Sequence, residues 1–308
     1  MKREPTFEEI TVLWKKEKCE KVKPTTLAAY SLSLNKYLLP YFNWPSEVNE
    51  KSIGEFINAK KNAGLSSKSI RDILTVLKMV MTFAQKNKFI PEREIKFTMP
   101  KDNIPKGVVV FSPSQQQALM TYLIKNATSR NLGILLCLQT GIRIGELCAL
   151  KWEDINLEIG IVTIHKTMYR IYQSDKGLHP TSLITSTPKT MNSCRSIPLP
   201  DSLLALMRSM RPKNYEGKYL ISGSQFPIEP RTYRNYYHKL LKELKFPALK
   251  FHTLRHTFAT RCIESDCDCK TVSAILGHAD VSTTLNLYMH PSHAQKKKCI
   301  EKMLSSLK

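Results

Sequence analysis

His252-Thr253-Leu254-Arg255-His256-Thr257-Phe258-Ala259-Thr260 is answered downstream by Ile275-Leu276-Gly277-His278 and Thr283-Thr284-Leu285-Asn286-Leu287-Tyr288, and upstream by Thr140-Gly141-Ile142-Arg143-Ile144-Gly145-Glu146-Leu147. His252 and Arg255 stand three residues apart, His278 follows Arg255 by 23 residues, and Tyr288 follows His278 by ten. The upstream segment breaks one helical pattern at Gly141 and starts another, in which Glu146 is placed for a helix-start salt bridge to Arg143, three residues before it. His256 lies one residue past Arg255 and so is turned about 100° from it around a helix. That rotation predicts a packing or capping role for this second histidine.

Outward from these segments the pattern is mostly helical. Thr6-Phe7-Glu8-Glu9 has the form of a capping box, predicting a helix to about residue 20. Pro24-Thr25-Thr26 opens a second helix that stops near Pro40, and a third is expected over 49–63. Ser66-Ser67 starts a long amphipathic helix with Ile70, Ile73, Leu74, Leu77, Val80, Met81 and Ala84 on one face. Pro91, Pro100 and Pro105, with Lys96, Lys101 and Lys106 between and beside them, punctuate residues 92–110, which reads as a linker. Beyond it, helices are expected from Ser112-Pro113-Ser114 to about 126 and over 129–140. Residues 159–171, 182–187 and 196–199 alternate and predict one three-stranded antiparallel sheet, and helical pattern resumes from 201.

The 308 residues carry 47 Lys and Arg against 26 Asp and Glu, a net charge of +21. An acidic partner follows, nucleic acid first among the candidates. A hydrophobic content of 42% with 12 Tyr, 11 Phe and 3 Trp supplies a core, which excludes a disordered basic tail. The excess is spread over both halves, +7 in residues 1–105 and +14 in 106–308. The N-terminal residues lack an apolar signal segment, and the longest apolar run, 132–138, is too short to cross a bilayer. Eight scattered cysteines fit reduced thiols in a cytoplasmic protein. Cys262, Cys267 and Cys269 with His278 admit a zinc reading, but without the paired spacing of zinc ribbons; helix-end and core thiols are the alternative.

Together the four segments resemble the tyrosine recombinase (phage integrase) family, and the likeness runs through the chain in order. It implies a fold that is mainly α with a small antiparallel β-sheet. Residues 1–91 would form a helical SAM-like core DNA-binding domain, 92–110 the linker, and 111–290 a mixed α/β catalytic domain. The tail helix over 291–308 carries Cys299, Ile300, Met303, Leu304 and Leu307 on one stripe; in this family such a tail docks on a neighbouring protomer, whereas in a lone domain it would be ordinary packing. The function implied is site-specific recombination: duplex DNA is cut and rejoined through a 3′-phosphotyrosine and a Holliday junction, giving integration, excision or inversion. No cofactor and no metal are implied. The partners would be double-stranded DNA with a specific recombination site and three further copies of the chain in a tetramer, with an accessory directionality or DNA-bending protein as a further candidate. The setting would be the cytoplasm, at the nucleoid.

The chemistry asks for a nucleophile, groups that neutralise the non-bridging oxygens, and an acid for the leaving oxygen. The resemblance makes Tyr288 the nucleophile; a helix-end tyrosine with its ring in the core is the ordinary alternative. Arg143 and Arg255 are assigned to the phosphate oxygens, a task for a planar, permanently charged fork, with Glu146 orienting Arg143. His252 and His278 belong to the site, His252 being favoured as proton acceptor, although their division of labour stays open at this level. Lys189, in the turn Pro188-Lys189-Thr190-Met191-Asn192-Ser193, is the family-like general acid; a solvated turn lysine is its alternative. Ser265-Asp266-Cys267-Asp268 replaces a glycine-containing turn common among relatives, and Asp266 is expected to supply the bend through its side chain.

Thr26, Lys68 and Arg71, at the starts of two N-terminal helices, together with Lys101 and Lys106, are the DNA-contact candidates. Thr25-Thr26-Leu27-Ala28-Ala29-Tyr30 and Leu39-Pro40-Tyr41-Phe42 look more like integrases of phages and conjugative elements than chromosome-dimer resolvases. Such integrases often carry an arm-binding domain ahead of the first helix; the short stretch before Thr6 leads to the expectation of a compact enzyme without one, for which inversion, excision or resolution is as plausible as integration. Two other readings compete: a type IB topoisomerase, which relaxes DNA with the same chemistry, and a catalytically silent DNA-binding accessory protein.

Overall fold

The computed structural model describes residues 3–100, 107–172, 181–186 and 194–288, with 297, 300, 301 and 303–305 of the tail. The chain forms two compact units, Met1–Lys106 with Arg170–Ser182, and Gly107–Tyr169 with Leu183–Lys308. No helix among the described residues is long and apolar enough to cross a membrane.

In the first unit, helix α1 (Phe7–Lys21) begins at the expected capping box: the Thr6 amide donates to Glu9 Oε2 (2.7 Å) and the Glu9 amide to Thr6 Oγ1 (3.1 Å). Two otherwise orphaned amides are satisfied this way. Helix α2 (Pro24–Ser33) continues into a π turn at Leu34–Leu38, where the Leu39 amide reaches back to Leu34 O (2.9 Å). The wider turn, where a regular helix to Pro40 was expected, buries Leu34 and Leu38 completely. Helices α3 (Glu50–Asn62) and α4 (Ser67–Lys86) complete the unit, and every member of the expected α4 stripe is buried, from Ile70 to Ala84.

Residues 92–100 contain neither helix nor strand, yet they are not a free tether. Ile95, Phe97 and Met99 pack on the core around Phe7, Trp14 and Leu77. The Arg93 guanidinium donates to Pro45 O (2.9 Å) and Val48 O (3.1 Å). Arg71 Nη1 donates to Pro100 O (2.8 Å), so this DNA-contact candidate also pins that segment to the first unit.

The second unit is built around α6 (Ser129–Thr140), whose residues from Asn131 to Leu138 are all buried. Helix α5 (Pro113–Lys125), with its Ser112 and Gln115 capping box, packs against it, and the short α7 (Ile144–Ala149) follows. The strands after α7 are β1 (Ile155–Asn156), β2 (Ile161–Ile164), β3 (Thr167–Tyr172), β4 (Thr181–Ser186) and β5 (Arg195–Pro198), residues 170–172 of β3 and 181–182 of β4 being grouped with the first unit. They form two sheets rather than the single expected one: β1-β2-β5, antiparallel, with buried Val162 opposite buried Ile197, and a separate β3-β4 pair. The alternating stretch 159–171 breaks at His165-Lys166. A period of two continues through such a break and cannot reveal it. Gly145 is required at this point, because a Cβ there would lie 2.7 Å from the Met168 carbonyl oxygen.

Helices α8 (Asp201–Met210) and α9 (Pro230–Glu243) lead to α10 (His252–Glu264), α11 (Cys269–Leu276) and α12 (Val281–Tyr288). Between α10 and α11, Asp266 takes a left-handed φ of 58°. The Cys267 amide bonds Cys262 O (3.0 Å) and the Asp266 amide bonds Ile263 O (3.1 Å). This is the six-to-one and five-to-two backbone pairing that ordinarily uses glycine. These main-chain bonds close the bend at Asp266.

Candidate active site

Two left-handed glycines set up the site. Gly141 ends α6 at φ +68°, where a Cβ would meet Leu276 Cδ2 at 2.6 Å and Phe258 Cδ1 at 2.7 Å; both conformation and space demand glycine. The turn delivers Arg143 to the start of α7. Gly277 ends α11 at φ +65° and delivers His278. Each glycine carbonyl then accepts from an arginine of another element: Gly141 O from Arg255 Nη1 (2.8 Å), and Gly277 O from Arg143 Nη2 (3.2 Å).

Arg143, at the helix start, donates its amide to Glu146 Oε2 and its Nη1 to Glu146 Oε1, both at 2.8 Å. The salt bridge and the orienting role expected of Glu146 are therefore one arrangement. Arg255 is 2% exposed and its Nη2 is buried with no hydrogen-bond partner among the described residues. A buried guanidinium N–H left open in this way is suited to an incoming anionic oxygen. Burial first, then the neighbouring Arg143 charge, pull Arg255 down to about 9, still protonated at neutral pH.

His278 Nδ1 lies 2.8 Å from the fully buried Thr284 Oγ1, which fixes the rotation of the imidazole. Burial, followed by Arg255 and Arg143, pushes His278 down to about 4. His252, the first residue of α10, stands at a solvent-exposed rim; desolvation, then His256, Arg255 and Arg143, lower it too, an effect that water at the rim moderates. Without an anion, then, the site favours neutral imidazoles, and a phosphate placed among them would favour protonation.

Tyr288 ends α12 with its ring 8% exposed, packed with Ala259, Val272 and Leu276. Its hydroxyl lies 2.6 Å from Nδ1 of His256. His256 packs against neighbouring rings, as expected, and in addition contacts the tyrosine hydroxyl. The comparison with Arg255 left that contact out, whereas His252 and His256 are one helical turn apart on a common face, their rings edge to face at 4.5 Å. Docking of α12 on that face brings the tyrosine to the second histidine. Burial raises the Tyr288 pKa, and the charges of Arg255 and Arg143 oppose that rise.

Arg195, at the start of β5, is a residue that sequence reading missed. Its guanidinium donates to Ile275 O (2.5 Å) and to both Glu146 oxygens (3.2 and 2.9 Å), with 6% of the side chain exposed. It ties the strand that follows the Lys189 segment to α7 and α11, and nothing local in Cys194-Arg195-Ser196 marks it. Burial by itself would raise the Glu146 carboxyl; Arg195 and then Arg143 overcome it and hold the group below its ordinary value. Glu146→Gln is expected to lower stability by roughly 3–5 kcal/mol in urea unfolding, because two arginines lose their buried counter-charge. The carboxylate's contribution is present above pH 4.5 and is lost as the pH falls through its lower folded pKa.

Lys189, Lys101 and Lys106 lie outside the described residues. Lys68 is exposed in the first turn of α4, and Thr26 and Arg71 are partly exposed. Ile300, Met303 and Leu304 are more than half exposed on helical tail residues, while Cys299 and Leu307 lie outside the described set. Among the described residues no three His, Cys, Asp or Glu side chains are grouped to hold a metal.

A helical unit followed by a mixed unit, with a buried tyrosine set among arginines and histidines, defines a class of enzymes that transfer DNA strands through tyrosine. The chain belongs to the phage integrase family: the family's pattern matches residues 110–295, and that of the phage integrase N-terminal SAM-like domain matches residues 6–45. It is a site-specific tyrosine recombinase. A tyrosine recombinase XerC-like protein of Caldanaerobacter subterraneus subsp. tengcongensis is 29% identical over 309 aligned residues, covering 91% of this chain and 77% of that protein. Tyrosine recombinase XerA of Pyrococcus furiosus is 27% identical, covering 90% and 87%. Among solved structures, the Tn1549 transposon integrase in complex with transposon right end DNA shares the fold at a TM-score of 0.78 and 20% identity, covering 97% of this chain and 100% of that one. Lambda integrase, solved as a tetramer bound to a Holliday junction, gives a TM-score of 0.67 at 18% identity, covering 95% and 80%.

Proposed function

We propose that this recombinase cuts each strand of its DNA site by attack of Tyr288 on the scissile phosphate, leaving a 3′-phosphotyrosine and a free 5′-hydroxyl. The observation that carries the reading is the placement of the Tyr288 hydroxyl on an imidazole, within the field of Arg255 and Arg143. Arg143 and Arg255 hold the non-bridging oxygens, and the open Nη2 of Arg255 is one donor for them. His252 and His278 add donors to the phosphate, His278 with its Nδ1 side held by Thr284. Lys189 protonates the 5′-leaving oxygen. The phosphotyrosine keeps nearly the free energy of the bond it replaces, so a 5′-hydroxyl from a second duplex reverses the step and exchanges strands.

Four copies on two duplexes, passing through a Holliday junction, are the assembly this exchange requires; the lambda integrase tetramer on such a junction supports it. The reaction belongs in the cytoplasm, at the nucleoid. It integrates, excises or inverts a DNA segment, with a directionality or DNA-bending protein as a further partner. Thr26, Lys68, Arg71, Lys101 and Lys106 are proposed to hold the duplex in the N-terminal unit and linker.

A plasmid carrying two copies of the recombination site should yield deletion or inversion products. Relaxation of any supercoiled plasmid, with no site requirement, would contradict recombination and favour a topoisomerase. With charge +21 on a duplex clamp making six to ten phosphate contacts, binding should weaken by roughly three to five orders of magnitude from 50 to 200 mM salt. Titrations by fluorescence anisotropy test that slope, and a nearly flat one would count against a clamp.

A further inference from the structure

We propose that His256 is the general base that takes the Tyr288 proton during strand cleavage. The proposal rests on Tyr288 being the nucleophile and adds a residue to that reaction. Four features of the second unit support it.

The first is contact. His256 Nδ1 lies 2.6 Å from Tyr288 Oη, with the two rings 5.7 Å apart and inclined by 56°. A general base must be within hydrogen-bond reach of the proton it abstracts, and His256 meets that condition before any rearrangement. The second is the engagement of the other imidazoles. His278 Nδ1 is turned to Thr284. His252 meets the edge of the His256 ring and shares no hydrogen bond with Tyr288.

The third feature is the surrounding charge. Arg255 and His252 face His256 on α10, Tyr288 faces it from α12, and Arg143 acts on the same tyrosine from the start of α7. Burial, and then Arg255, hold His256 below the ordinary imidazole value, which favours the neutral ring; in its Nε2–H tautomer the Nδ1 lone pair accepts the Tyr288 proton. The fourth is placement on one helix: His252 and His256 share a face of α10 and Arg255 precedes His256 by one residue, so a single rigid helix carries the phosphate donors and the base together.

In the step, the Oη–P bond forms and the P–O5′ bond breaks. The Oη proton passes to His256 Nδ1, and the leaving O5′ takes a proton from the acid, assigned to Lys189. The His256 imidazolium then lies beside the phosphotyrosine and returns its proton to Oη when a 5′-hydroxyl reseals the strand. Charge and atoms balance with no further reagent.

The same hydrogen bond has an opposite reading, in which His256 holds the tyrosine back from the phosphate until DNA is assembled, and the experiment separates the two. Single-turnover cleavage of nicked suicide DNA is followed across pH for the intact chain, His256→Asn, His256→Phe and Tyr288→Phe. A second substrate carries a 5′-bridging sulfur, a leaving group that needs no proton. If His256 is the base, both His256 variants slow by about 10²–10⁴-fold on both substrates and lose the fall in rate on the acidic side of the pH profile. Asparagine, which keeps an acceptor near the Nδ1 position without its basicity, will not restore the rate. Cleavage by either variant at or above the original rate overturns the proposal in favour of a restraining contact, and recovery in His256→Asn alone reduces His256 to a positioning residue. Anisotropy titration with the same DNA confirms that each variant is folded and binds. An adduct formed by Tyr288→Phe would instead remove the reading of Tyr288, whatever the His256 variants do.

Discussion

Tyr288→Phe is expected to leave DNA binding intact and to abolish covalent capture of nicked suicide DNA. The ring carries the packing with Ala259, Val272 and Leu276, and phenylalanine retains it. What is lost is one hydroxyl and its bond to His256, a net cost of about 0.5–1.5 kcal/mol to stability. Cleavage should fall by at least about 10⁴-fold, as when a covalent nucleophile is removed elsewhere. No second tyrosine is hydrogen-bonded to the histidines or arginines of the site among the described residues, so none is in position to replace it. Denaturing gels of the trapped adduct read the result, with anisotropy as the control for binding.

Arg255→Lys should be nearly as damaging. Arg255 spends one nitrogen on the Gly141 carbonyl and keeps Nη2 open in a buried position. A lysine presents one compact ammonium: held by Gly141 O it cannot also reach the phosphate with the geometry of a fork. Loss of a preorganised donor to the charge that develops on the phosphate predicts a single-turnover rate lower by about 10²–10³-fold. Affinity for DNA should change only a few-fold, since most of it comes from phosphate contacts elsewhere. Near-normal cleavage by Arg255→Lys would show that the open nitrogen does not meet the phosphate.

Local signals carried much of the fold. The Thr6 and Glu9 reciprocity, the Ser112 start of α5, the limits of α6 and the buried stripe of α4 are all set by residues within a few positions of one another, so they are legible without a structure. The sheet was not. β2 and β3 share one alternating stretch, and only their pairing with β5 and β4 assigns them to different sheets. The π turn at Leu34–Leu38 escaped for a similar reason, because its apolar residues fit a regular helix equally well.

The candidate site divides the same way. Arg143, Arg255, His252, His278 and Tyr288 stood out by motif and spacing, and the second unit brings them together. Which side chain touches which depends on how α12 lies on α10, and on β5 reaching α7, both long-range matters. His256 was set aside by its angle to Arg255 although a turn's spacing from His252 was in view. Arg195 carried no local mark at all. Its importance lies in a carboxylate 49 positions away in sequence.

The central claim, that Tyr288 carries the broken strand, is tested most directly by mapping the covalent adduct. The intact chain is reacted with nicked suicide DNA, the DNA is digested to a nucleotide remnant, and the modified peptide is sequenced by mass spectrometry. A phosphodiester-linked nucleotide on Tyr288, joined through its 3′ end, is the result expected. A remnant on any other residue, or one joined through a 5′ phosphate, would contradict it.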